Sequence, residues 1–534
     1  MQEEFVIQFP PRFVPLTEFI ARNAQWYPEK TAVCCMGRKI TWSELNQRIN
    51  RFANSLVRSG ISRGHPIAVL CGNCLEYLEI LFGILKSGGI AVPVSTLLSK
   101  DAILLQLQHA RPEIIISQDP FADTLDDILA QWPLMVSMQR IHVSENRDGW
   151  IRYPEFCSNS PATEPEVELS GGDLYNIIYS SGTTGNPKGI LHSHQARLFL
   201  ALTCSIEFRI HNEAVTCIAT PMYSNGTQLT FLPTVLTGGT VVIMPSFDPG
   251  DLLRLIQEER CTHIFMVPTQ FIRTMAHPEF NRCDTSSVEI LLSAAAPLRK
   301  ETKIRILEKF PASGLVELYG LTEGISTVLR PDEQLSKSGS VGKPRLGGDI
   351  KIIDVDGTEL PQGETGEIAG FNFSMMKGYF KDPKATRDAI WQDKNGRMYL
   401  KTGDIGRLDA DGYLYLLDRK KDLIISGGMN IYPSDIEEII MKHPEVAEAA
   451  VLGIHHHEWG ESPAAVVVKK NPESSLTRDA LKNWTNSRLS TYQKLSYLEF
   501  RESLPRNDLG KILKRELRES LRNPASEDPT TRRI

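Results

Sequence analysis

Residues 180–189 read SSGTTGNPKG and directly follow the apolar run at residues 175–179. A strand that runs into this loop offers backbone N–H groups, side-chain hydroxyls and the Lys188 ammonium to an anion. The pattern therefore predicts a loop that binds a polyphosphate. It differs from the common P-loop, because Gly189 follows Lys188 where that loop has Ser or Thr. For the loop taken alone, a flexible Ser/Gly turn is the alternative.

Four further segments accompany this loop along the chain. They are residues 319–323 (YGLTE), 402–404 (TGD), 418–433 (DRKKDLIISGGMNIYP) and 504–511 (LPRNDLGK). In this order, the five segments resemble the signatures of the adenylate-forming enzymes, the superfamily of acyl-CoA and aryl-CoA synthetases, luciferases and peptide-synthetase adenylation domains. The resemblance extends from Ile40 to Lys511 and so covers nearly the whole chain.

The resemblance implies that the chain binds ATP and Mg²⁺. Contacts to the β- and γ-phosphates are expected from Ser181, Gly182, Thr183, Thr184, Gly185 and Lys188. Contacts to the adenine and the α-phosphate are expected from Ala295, Tyr319, Gly320, Leu321 and Thr322. Asp404 and Arg419 are expected at the ribose, because a carboxylate can accept hydrogen bonds from both hydroxyls. Glu323 is the expected ligand of Mg²⁺, which prefers oxygen ligands.

Lys511 is expected to act with Thr322 and Glu323 as a catalytic residue. Carried by a mobile C-terminal lid, its ammonium would stabilise the charge that develops when a carboxylate attacks the α-phosphorus. A thiol attacks the resulting acyl-AMP in the second step, which requires another position of the lid. The resemblance places the hinge at Lys421, and Gly427 and Gly428 are expected to let the pantetheine arm of CoA pass close to the backbone.

The acid substrate is expected to bind along residues 221–226 (PMYSNG). The predicted pocket residues are Tyr223, Ser224, Asn225, Gly226 and Ala294. Ser224 stands where many acyl-CoA synthetases have a histidine and where peptide-synthetase domains have an aspartate, so neither of those roles transfers to this chain. Alanines at residues 294–296 replace glycines that are common in the family and narrow the pocket. We expect an uncharged acid that is medium-chain, branched or aromatic.

Apolar runs alternate with helical patterns in the first part of the chain. Strand-like residues 67–70 and 90–94 flank a helical segment at 75–86, which predicts a βαβ unit and a largely parallel sheet. Thr41 and Glu44 predict a capping box for the preceding helix. Beyond about residue 340, short strands with Asp-Gly turns predict antiparallel hairpins.

We therefore expect an α/β fold with a large N-terminal domain and a small C-terminal lid. Residues 1–420 are expected to form the AMP-binding adenylation domain, built from two α/β subdomains and an antiparallel β-barrel-like subdomain at about 340–420. Residues 421–522 are expected to form a mobile α+β lid domain, whose first helix Ser434 caps. The polar tail at 523–534 is expected to be disordered.

Composition excludes several classes of protein. A net charge of −6 with mixed charges argues against a nucleic-acid-binding face, and no apolar run is long enough to predict a membrane span. Nine scattered cysteines indicate a reducing compartment, and Cys71 and Cys74 are predicted to be buried thiols rather than a redox or metal pair. The acidic start of the chain does not resemble a signal peptide, so we expect a cytoplasmic protein. A homodimer is left open.

The sequence thus predicts an ATP-dependent carboxylic acid:CoA ligase that forms acyl-AMP and pyrophosphate, then acyl-CoA and AMP. The alternative is an adenylation enzyme that loads a carrier protein, although no carrier sequence is evident. A luciferase-like oxidation would use the same adenylation residues, and a nucleotide sensor would not require all five motifs.

Overall fold

The structure is a computed structural model that describes residues 13–130, 132, 138–180, 187–420, 422–426, 429–457, 459–506 and 511–522. Its helices are α1 Leu16–Trp26, α2 Trp42–Arg58, α3 Glu76–Lys86, α4 Lys100–Ala110, α5 Phe121–Ala130, α6 Tyr153–Cys157, α7 His194–Glu207, α8 Gln228–Thr237, α9 Pro249–Glu258, α10 Pro268–Ala276, α11 Lys300–Lys309, α12 Pro383–Ala389, α13 Pro433–Met441, α14 Arg478–Asn486 and α15 Lys514–Arg522.

Its strands up to residue 320 are β1 Thr31–Cys35, β2 Arg38–Thr41, β3 Pro66–Leu70, β4 Ile90–Pro93, β5 Ile114–Ser117, β6 Gln139–His142, β7 Ile151–Arg152, β8 Leu174–Ser180, β9 Lys188–Ser193, β10 Val215–Ile218, β11 Thr240–Ile243, β12 His263–Met266, β13 Ile290–Ser293 and β14 Gly314–Gly320. The later strands are β15 Ser326–Leu329, β16 Lys343–Pro344, β17 Gly348–Ile353, β18 Gly366–Asn372, β19 Gly378–Tyr379, β20 Ile390–Gln392, β21 Met398–Leu408, β22 Leu414–Arg419, β23 Ile424–Ser426, β24 Met429–Ile431, β25 Val446–His456, β26 Gly460–Lys469 and β27 Tyr497–Phe500.

Two large sheets form the first part of the fold. One has nine strands in the order β16-β15-β14-β13-β12-β10-β11-β1-β2, and the other has eight in the order β19-β9-β8-β4-β3-β5-β6-β7. Their central strands are parallel and are buried on both faces, which explains why they appear in the sequence as continuous apolar runs. The βαβ prediction is confirmed, because β3 and β4 pair in parallel across α3.

A hydrophobic cluster lies between the two sheets and joins them. It contains Phe52 of α2, Ile80 of α3, Leu200 of α7 and Phe231 of α8, each largely shielded from solvent. Helix α2 begins with the predicted capping box, in which Thr41 and Glu44 exchange hydrogen bonds. Helical packing of this kind fixes the sheets against each other, so the loops at their edges have a rigid base.

An antiparallel sheet follows, as predicted from the hairpin pattern. It has the order β17-β18-β21-β20, and β22 pairs with β21 on the side. The turns contain Gly357 and Gly412, both in the left-handed region with φ of 83° and 82°. This barrel-like sheet completes the large N-terminal domain.

The C-terminal domain has its own sheet and its own core. Strands β24, β23, β26 and β25 form the sheet, and β27 pairs with β26. Ile436 and Ile440 of α13 pack in its main cluster, as the helical pattern predicts. The predicted Ser434 cap is wrong, because α13 begins at Pro433 and the Ser434 hydroxyl donates to the Leu417 carbonyl instead. A backbone acceptor of the neighbouring strand β22 therefore replaces the local capping bond.

Cys71 and Cys74 pack in or against the core, and so does the helix of the uncharged stretch. Cys71 is fully buried, and burial raises the pKa of Cys74 to about 12, so neither is a reactive thiolate near neutral pH. Among the described ranges, no helix combines the length and the apolar character that a membrane crossing needs. Helix α8, in the uncharged stretch 214–247, is a core helix interrupted by Pro233.

Two buried histidines give the fold a predicted pH dependence. Burial lowers the pKa of His194 and of His263 to about 4, and both side chains are neutral in the folded protein at pH 7. Unfolding exposes them, so the unfolded chain binds more protons below pH ~6.5 and the folded state loses stability as the pH falls. Between pH 6.5 and 5 we expect a loss of about 1.5 kcal/mol in the free energy of unfolding per histidine.

Urea unfolding across this pH range measures the effect. The variant His263→Gln should show a shallower decline than the wild type, because it removes the buried imidazole. Equal slopes for wild type and His263→Gln would contradict the assignment of a buried neutral imidazole to His263.

Candidate active site

Three of the predicted segments follow the carboxyl ends of parallel strands. Residues 221–226 come after β10, residues 294–296 after β13 and residues 319–323 at the end of β14. Strands β10, β12, β13 and β14 are parallel neighbours, so the segments that follow them meet at one edge of the nine-stranded sheet. Ligands of open α/β sheets bind at this edge.

Asp404 lies beside Tyr319 and Arg419. The Tyr319 hydroxyl donates to Asp404 Oδ2 at 2.6 Å, and Arg419 Nε lies 3.3 Å from Asp404 Oδ1. Asp404 faces Arg419 across the β21–β22 ladder and is only 6% exposed. Burial and the Asp404 carboxylate raise the pKa of Tyr319 well above its usual range, so the phenol stays a donor. The structure therefore brings together three residues that the sequence assigned to adenine and ribose.

A bulge inside β21 fixes the backbone before Asp404. Gly403 has a φ of 70°, a conformation that favours glycine, and the Asp404 N–H donates to Thr402 Oγ1 at 3.1 Å. Lys420 N–H donates to the Gly403 carbonyl at 2.9 Å, which ties the end of β22 to the same bulge. The motif at residues 402–404 is thus a bulge that presents one carboxylate.

Glu323 lies between the two large sheets. The Tyr379 hydroxyl donates to Glu323 Oε1 at 3.0 Å, and the Lys188 ammonium lies 5.3 Å from the centre of the Tyr379 ring. Strand β19 places Tyr379 here by pairing with β9. Tyr379 was not among the predicted site residues, and its sequence neighbourhood carries no motif. The contact brings the phosphate-loop lysine and the predicted metal ligand to the same tyrosine.

Gly324 explains how the chain turns directly after Glu323. Its φ is 104°, and a Cβ at this position would lie 2.4 Å from the Ser374 carbonyl oxygen. Any side chain here would collide with backbone. Glycine at 324 therefore allows residues 319–323 to lie against the antiparallel sheet.

The imidazole of His192 holds the backbone of Thr322 in place. Its Nε2 lies 2.8 Å from the Thr322 carbonyl, so that nitrogen carries the proton and Nδ1 accepts from Arg197 Nη2 at 2.9 Å. Burial lowers the pKa of His192 well below its usual range, and the charge of Arg197 acts in the same direction. A neutral imidazole thus holds the Thr322 backbone. Sequence reasoning missed His192 and Arg197, although both follow the predicted phosphate loop within about ten residues.

The predicted acid pocket has a buried wall and a rigid backbone. Tyr223 and Ala294 are 8% and 5% exposed, and a Cβ at Gly226 would lie 3.2 Å from the Phe265 ring. Asn73 holds the segment by accepting from the Met222 N–H at 2.8 Å and donating to the Thr220 carbonyl at 3.0 Å. The residue between Cys71 and Cys74 that matters to this site is therefore the asparagine.

Ala295 has an unusual backbone conformation. Its φ is 72°, a left-handed value that costs a non-glycine residue about 1–2 kcal/mol. The sequence has alanine where glycine is common in the family. The backbone therefore adopts the left-handed conformation with an alanine, at the energetic cost just given. Its side chain is exposed.

Lys511 is attached to the C-terminal domain. Its neighbour Ile512 forms a bridge with Arg506 and packs with Leu504 and Leu517 against the sheet of that domain. The position of Lys511 relative to Asp404 therefore depends on how the small domain is placed. Near the predicted hinge, the Ser434 N–H donates to Asp418 Oδ2 at 3.0 Å, which joins α13 to the last strand of the large domain.

Several predicted residues lie outside the described residues. They are Ser181, Gly182, Thr183, Thr184, Gly185, Lys421, Gly427 and Gly428, and their roles stay predictions. The same holds for the tail at 523–534. Ser224, Gly320 and Leu321 lie in the strand-end loops where the sequence placed them.

Comparison with known proteins identifies the family. Residues 20–380 match the family model of the AMP-binding enzyme, and residues 435–511 match that of the AMP-binding enzyme C-terminal domain. A feruloyl-CoA synthase of Amycolatopsis sp is 32% identical over 500 residues, which cover 93% of this chain and 97% of that protein. The long-chain-fatty-acid–CoA ligase FadD13 of Mycobacterium tuberculosis is 34% identical over 490 residues, which cover 90% and 93%.

A solved structure agrees over nearly the whole chain. The o-succinylbenzoate CoA synthetase MenE from Bacillus subtilis, in complex with the acyl-adenylate intermediate OSB-AMP, has a TM-score of 0.82 and 29% identity, covering 96% of this chain and 99% of that one. The two-domain α/β fold agrees with these matches. The chain belongs to the AMP-binding enzyme family and is an acyl-CoA or aryl-CoA synthetase.

Proposed function

We propose that this protein joins a carboxylic acid to CoA in two steps at the site around Glu323 and Asp404. In the first step, a carboxylate oxygen attacks the α-phosphorus of ATP and the bond to pyrophosphate breaks. In the second, the CoA sulfur attacks the acyl carbon of acyl-AMP, the thiol proton is lost and AMP leaves. The contact of Asp404 with both Tyr319 and Arg419 carries this proposal, because it builds an acceptor of fixed orientation for a diol.

Adenylation is a problem of bringing anions together. Asp404 would hold the ribose, Lys188 the outer phosphates and Thr322 the α-phosphate, while Lys511 would supply a cation to the attacking carboxylate. Asp404 and Thr322 are held by contacts that do not include a ligand: Asp404 by Tyr319 and Arg419, and Thr322 by the His192 bond to its carbonyl. Donors fixed in advance stabilise developing charge without reorganisation at the moment of reaction.

Glu323 fits the coordination that Mg²⁺ prefers. Mg²⁺ is usually held by one or two carboxylates together with substrate phosphates, and within the described ranges no cluster of three His, Cys, Asp or Glu side chains competes for a metal. Glu323 is partly buried and oriented by Tyr379. When bound, Mg²⁺ would neutralise phosphate charge. The role of this protein is to hold the Glu323 carboxylate in a fixed orientation.

The second step needs the C-terminal domain in another orientation. We place its hinge at Lys421 and the path of the pantetheine arm along Gly427 and Gly428. Asp422 supports this assignment. Its carboxylate forms an ion pair with Arg518 at 3.5 Å, which ties the segment after the hinge to α15 of the small domain. We further propose that the enzyme acts in the cytoplasm, in fatty-acid or aromatic-acid metabolism, and a homodimer is compatible with this function.

Pyrophosphate release and thioester formation test the proposal together. With ATP and Mg²⁺, a panel of carboxylic acids should include members that release pyrophosphate, and CoA should convert the adenylate to a thioester with release of AMP. Transfer only to a purified acyl carrier protein would favour the carrier-loading alternative. Absence of acid-dependent pyrophosphate release across the panel would contradict adenylation.

A further inference from the structure

Two arginines are buried near the predicted acid pocket. Arg197 is 3% exposed and Arg345 is 1% exposed. Among the residues that the structure describes, neither forms an ion pair with a carboxylate, whereas Arg330, close to the same helix α7, is paired with Glu207 at 3.0 Å. An arginine cannot lose its charge in a protein, so a buried guanidinium normally has an anionic partner.

Arg197 contacts the predicted acid-binding segment. Its Nη2 donates to Asn225 Oδ1 at 2.8 Å, to His192 Nδ1 at 2.9 Å and to Asn176 Oδ1 at 3.4 Å, while its Nε is buried without a hydrogen-bond partner among the described residues. Asn225 belongs to the predicted acid-binding segment, and His192 holds the backbone of Thr322. The guanidinium therefore joins these two parts of the site, and its Nε keeps donor capacity for a ligand.

In the part of the chain that the structure describes, Arg345 is held by neutral groups. Its Nη1 donates to Thr203 Oγ1 at 2.7 Å and its Nη2 to Ser374 Oγ at 2.7 Å, and its Nε donates to Ser326 Oγ at 2.9 Å. Its Nη1 also lies 3.2 Å from Cys204 Sγ. These hydroxyls and the thiol fix the orientation of the Arg345 guanidinium but add no negative charge.

The two charges act on each other along one face of α7. Arg197 and Cys204 are seven residues apart in this helix, which places them on the same face about two turns apart. Burial lowers the pKa of Arg197 to about 10, and the charge of Arg345 acts in the same direction. Arginine keeps its charge in proteins, so this face of α7 meets two guanidinium groups without a paired carboxylate among the described residues.

We propose, on the basis of the proposed function, that the acid substrate carries a second anionic group. Arg197 binds this group, and the positive charge of Arg345 lies beside Arg197 and attracts the same group. The substrate class is then a dicarboxylic acid: one carboxylate is adenylated and the other pairs with Arg197. This replaces the expectation of an uncharged acid, which came from Ser224 alone. Arg197 is a specificity residue here, because the reacting atoms belong to the other end of the acid.

Matched acids test the proposal. Each pair differs by a methyl group in place of one carboxylate: succinate with butanoate, adipate with hexanoate, and 1,4-benzenedicarboxylate with 4-methylbenzoate. In the wild type, the dicarboxylate of at least one pair should have the higher kcat/KM for pyrophosphate release. Arg197→Met should lower the kcat/KM for the dicarboxylate about a hundredfold, mainly by raising KM. It should change the kcat/KM for the monocarboxylate less than threefold. Arg197→Lys, which keeps the charge, should recover part of the loss.

Controls separate the proposal from a structural role. Arg282→Met, which removes a side chain that is 80% exposed, should leave the kcat/KM for both acids unchanged. Equal losses for both members of a pair in Arg197→Met would show that Arg197 acts on the reacting carboxylate or only orients His192, and would overturn the proposal. A wild type that prefers the monocarboxylate in every pair would overturn it as well, even if Arg197→Met did not fold.

A binding measurement distinguishes this proposal from the proposed function. Isothermal titration of wild type and Arg197→Met with the same pairs needs no turnover. Dicarboxylate binding that is lost in Arg197→Met would support the anionic subsite even where no acid released pyrophosphate. Pyrophosphate release from monocarboxylates alone, with no dicarboxylate binding, would leave the ligase function standing and reject the subsite.

Discussion

Replacing Lys511 with alanine is expected to slow acyl-AMP formation about a hundredfold to a thousandfold, the range measured when one preorganised donor is removed from a transition state. The charge that Lys511 would neutralise develops only while the carboxylate attacks the α-phosphorus. The second step starts from a neutral acyl carbon and needs no cation at that place. Thioester formation from supplied acyl-AMP and CoA should therefore stay within about threefold of the wild type.

The measurement is acid-dependent pyrophosphate release, compared with thioester formation from synthetic acyl-AMP. Lys442→Ala is a matched control, because that lysine lies on the same domain, is 59% exposed and pairs with Glu438 of the preceding helix α13. It should leave both rates unchanged. Loss of both half-reactions to the same extent in Lys511→Ala would mean that the residue stabilises the domain rather than the transition state.

The parts of the site that could be predicted are those carried by short local patterns. Asp404 stands in a three-residue motif whose glycine has a positive φ in a bulge of β21, and its partner Arg419 lies within one hairpin of it. Parallel strands then align the loops that follow them at one edge of the sheet, as β10, β13 and β14 do. Local signals of this kind need no knowledge of distant contacts.

The missed residues depend on contacts between distant parts of the chain. Tyr379 reaches Glu323 because β19 pairs with β9, across almost 190 residues of sequence. Arg345 reaches α7 from a loop 141 residues away, where it meets Cys204. Neither side chain has a sequence neighbour that indicates the pairing. The wrong Ser434 cap has the same origin, since a tertiary acceptor competed with the local one.

The charge of the acid pocket shows the limit of reasoning from one position. Ser224 lacks the charge that other family members place there, and from it alone an uncharged acid follows. The structure adds Arg197 from helix α7, whose side chain reaches Asn225 of the same pocket. A substitution at one pocket position therefore predicts the ligand only when the elements that face it are known.

Replacing Asp404 with alanine is expected to raise the KM for ATP about a hundredfold. Hydrogen bonds to a charged acceptor contribute about 1.5–3 kcal/mol each, and Asp404 would receive two from the ribose hydroxyls. The acid does not contact this carboxylate in the proposed site, so the KM for the acid should change less than threefold. Tyr319, whose hydroxyl donates to Asp404 at 2.6 Å, would lose its acceptor in the same variant.

Tyr319→Phe separates these two effects, because it removes the phenol and leaves the carboxylate in place. We expect it to raise the KM for ATP by less than tenfold, since Arg419 still holds Asp404 Oδ1. Asp411→Ala, at a carboxylate of the same antiparallel sheet that is 67% exposed, is the matched control and should leave ATP binding unchanged. Nucleotide affinity can be measured directly with adenosine and 2′-deoxyadenosine 5′-triphosphates. An Asp404→Ala enzyme that still preferred the ribonucleotide as strongly as the wild type would place the ribose elsewhere and remove the main support for the site.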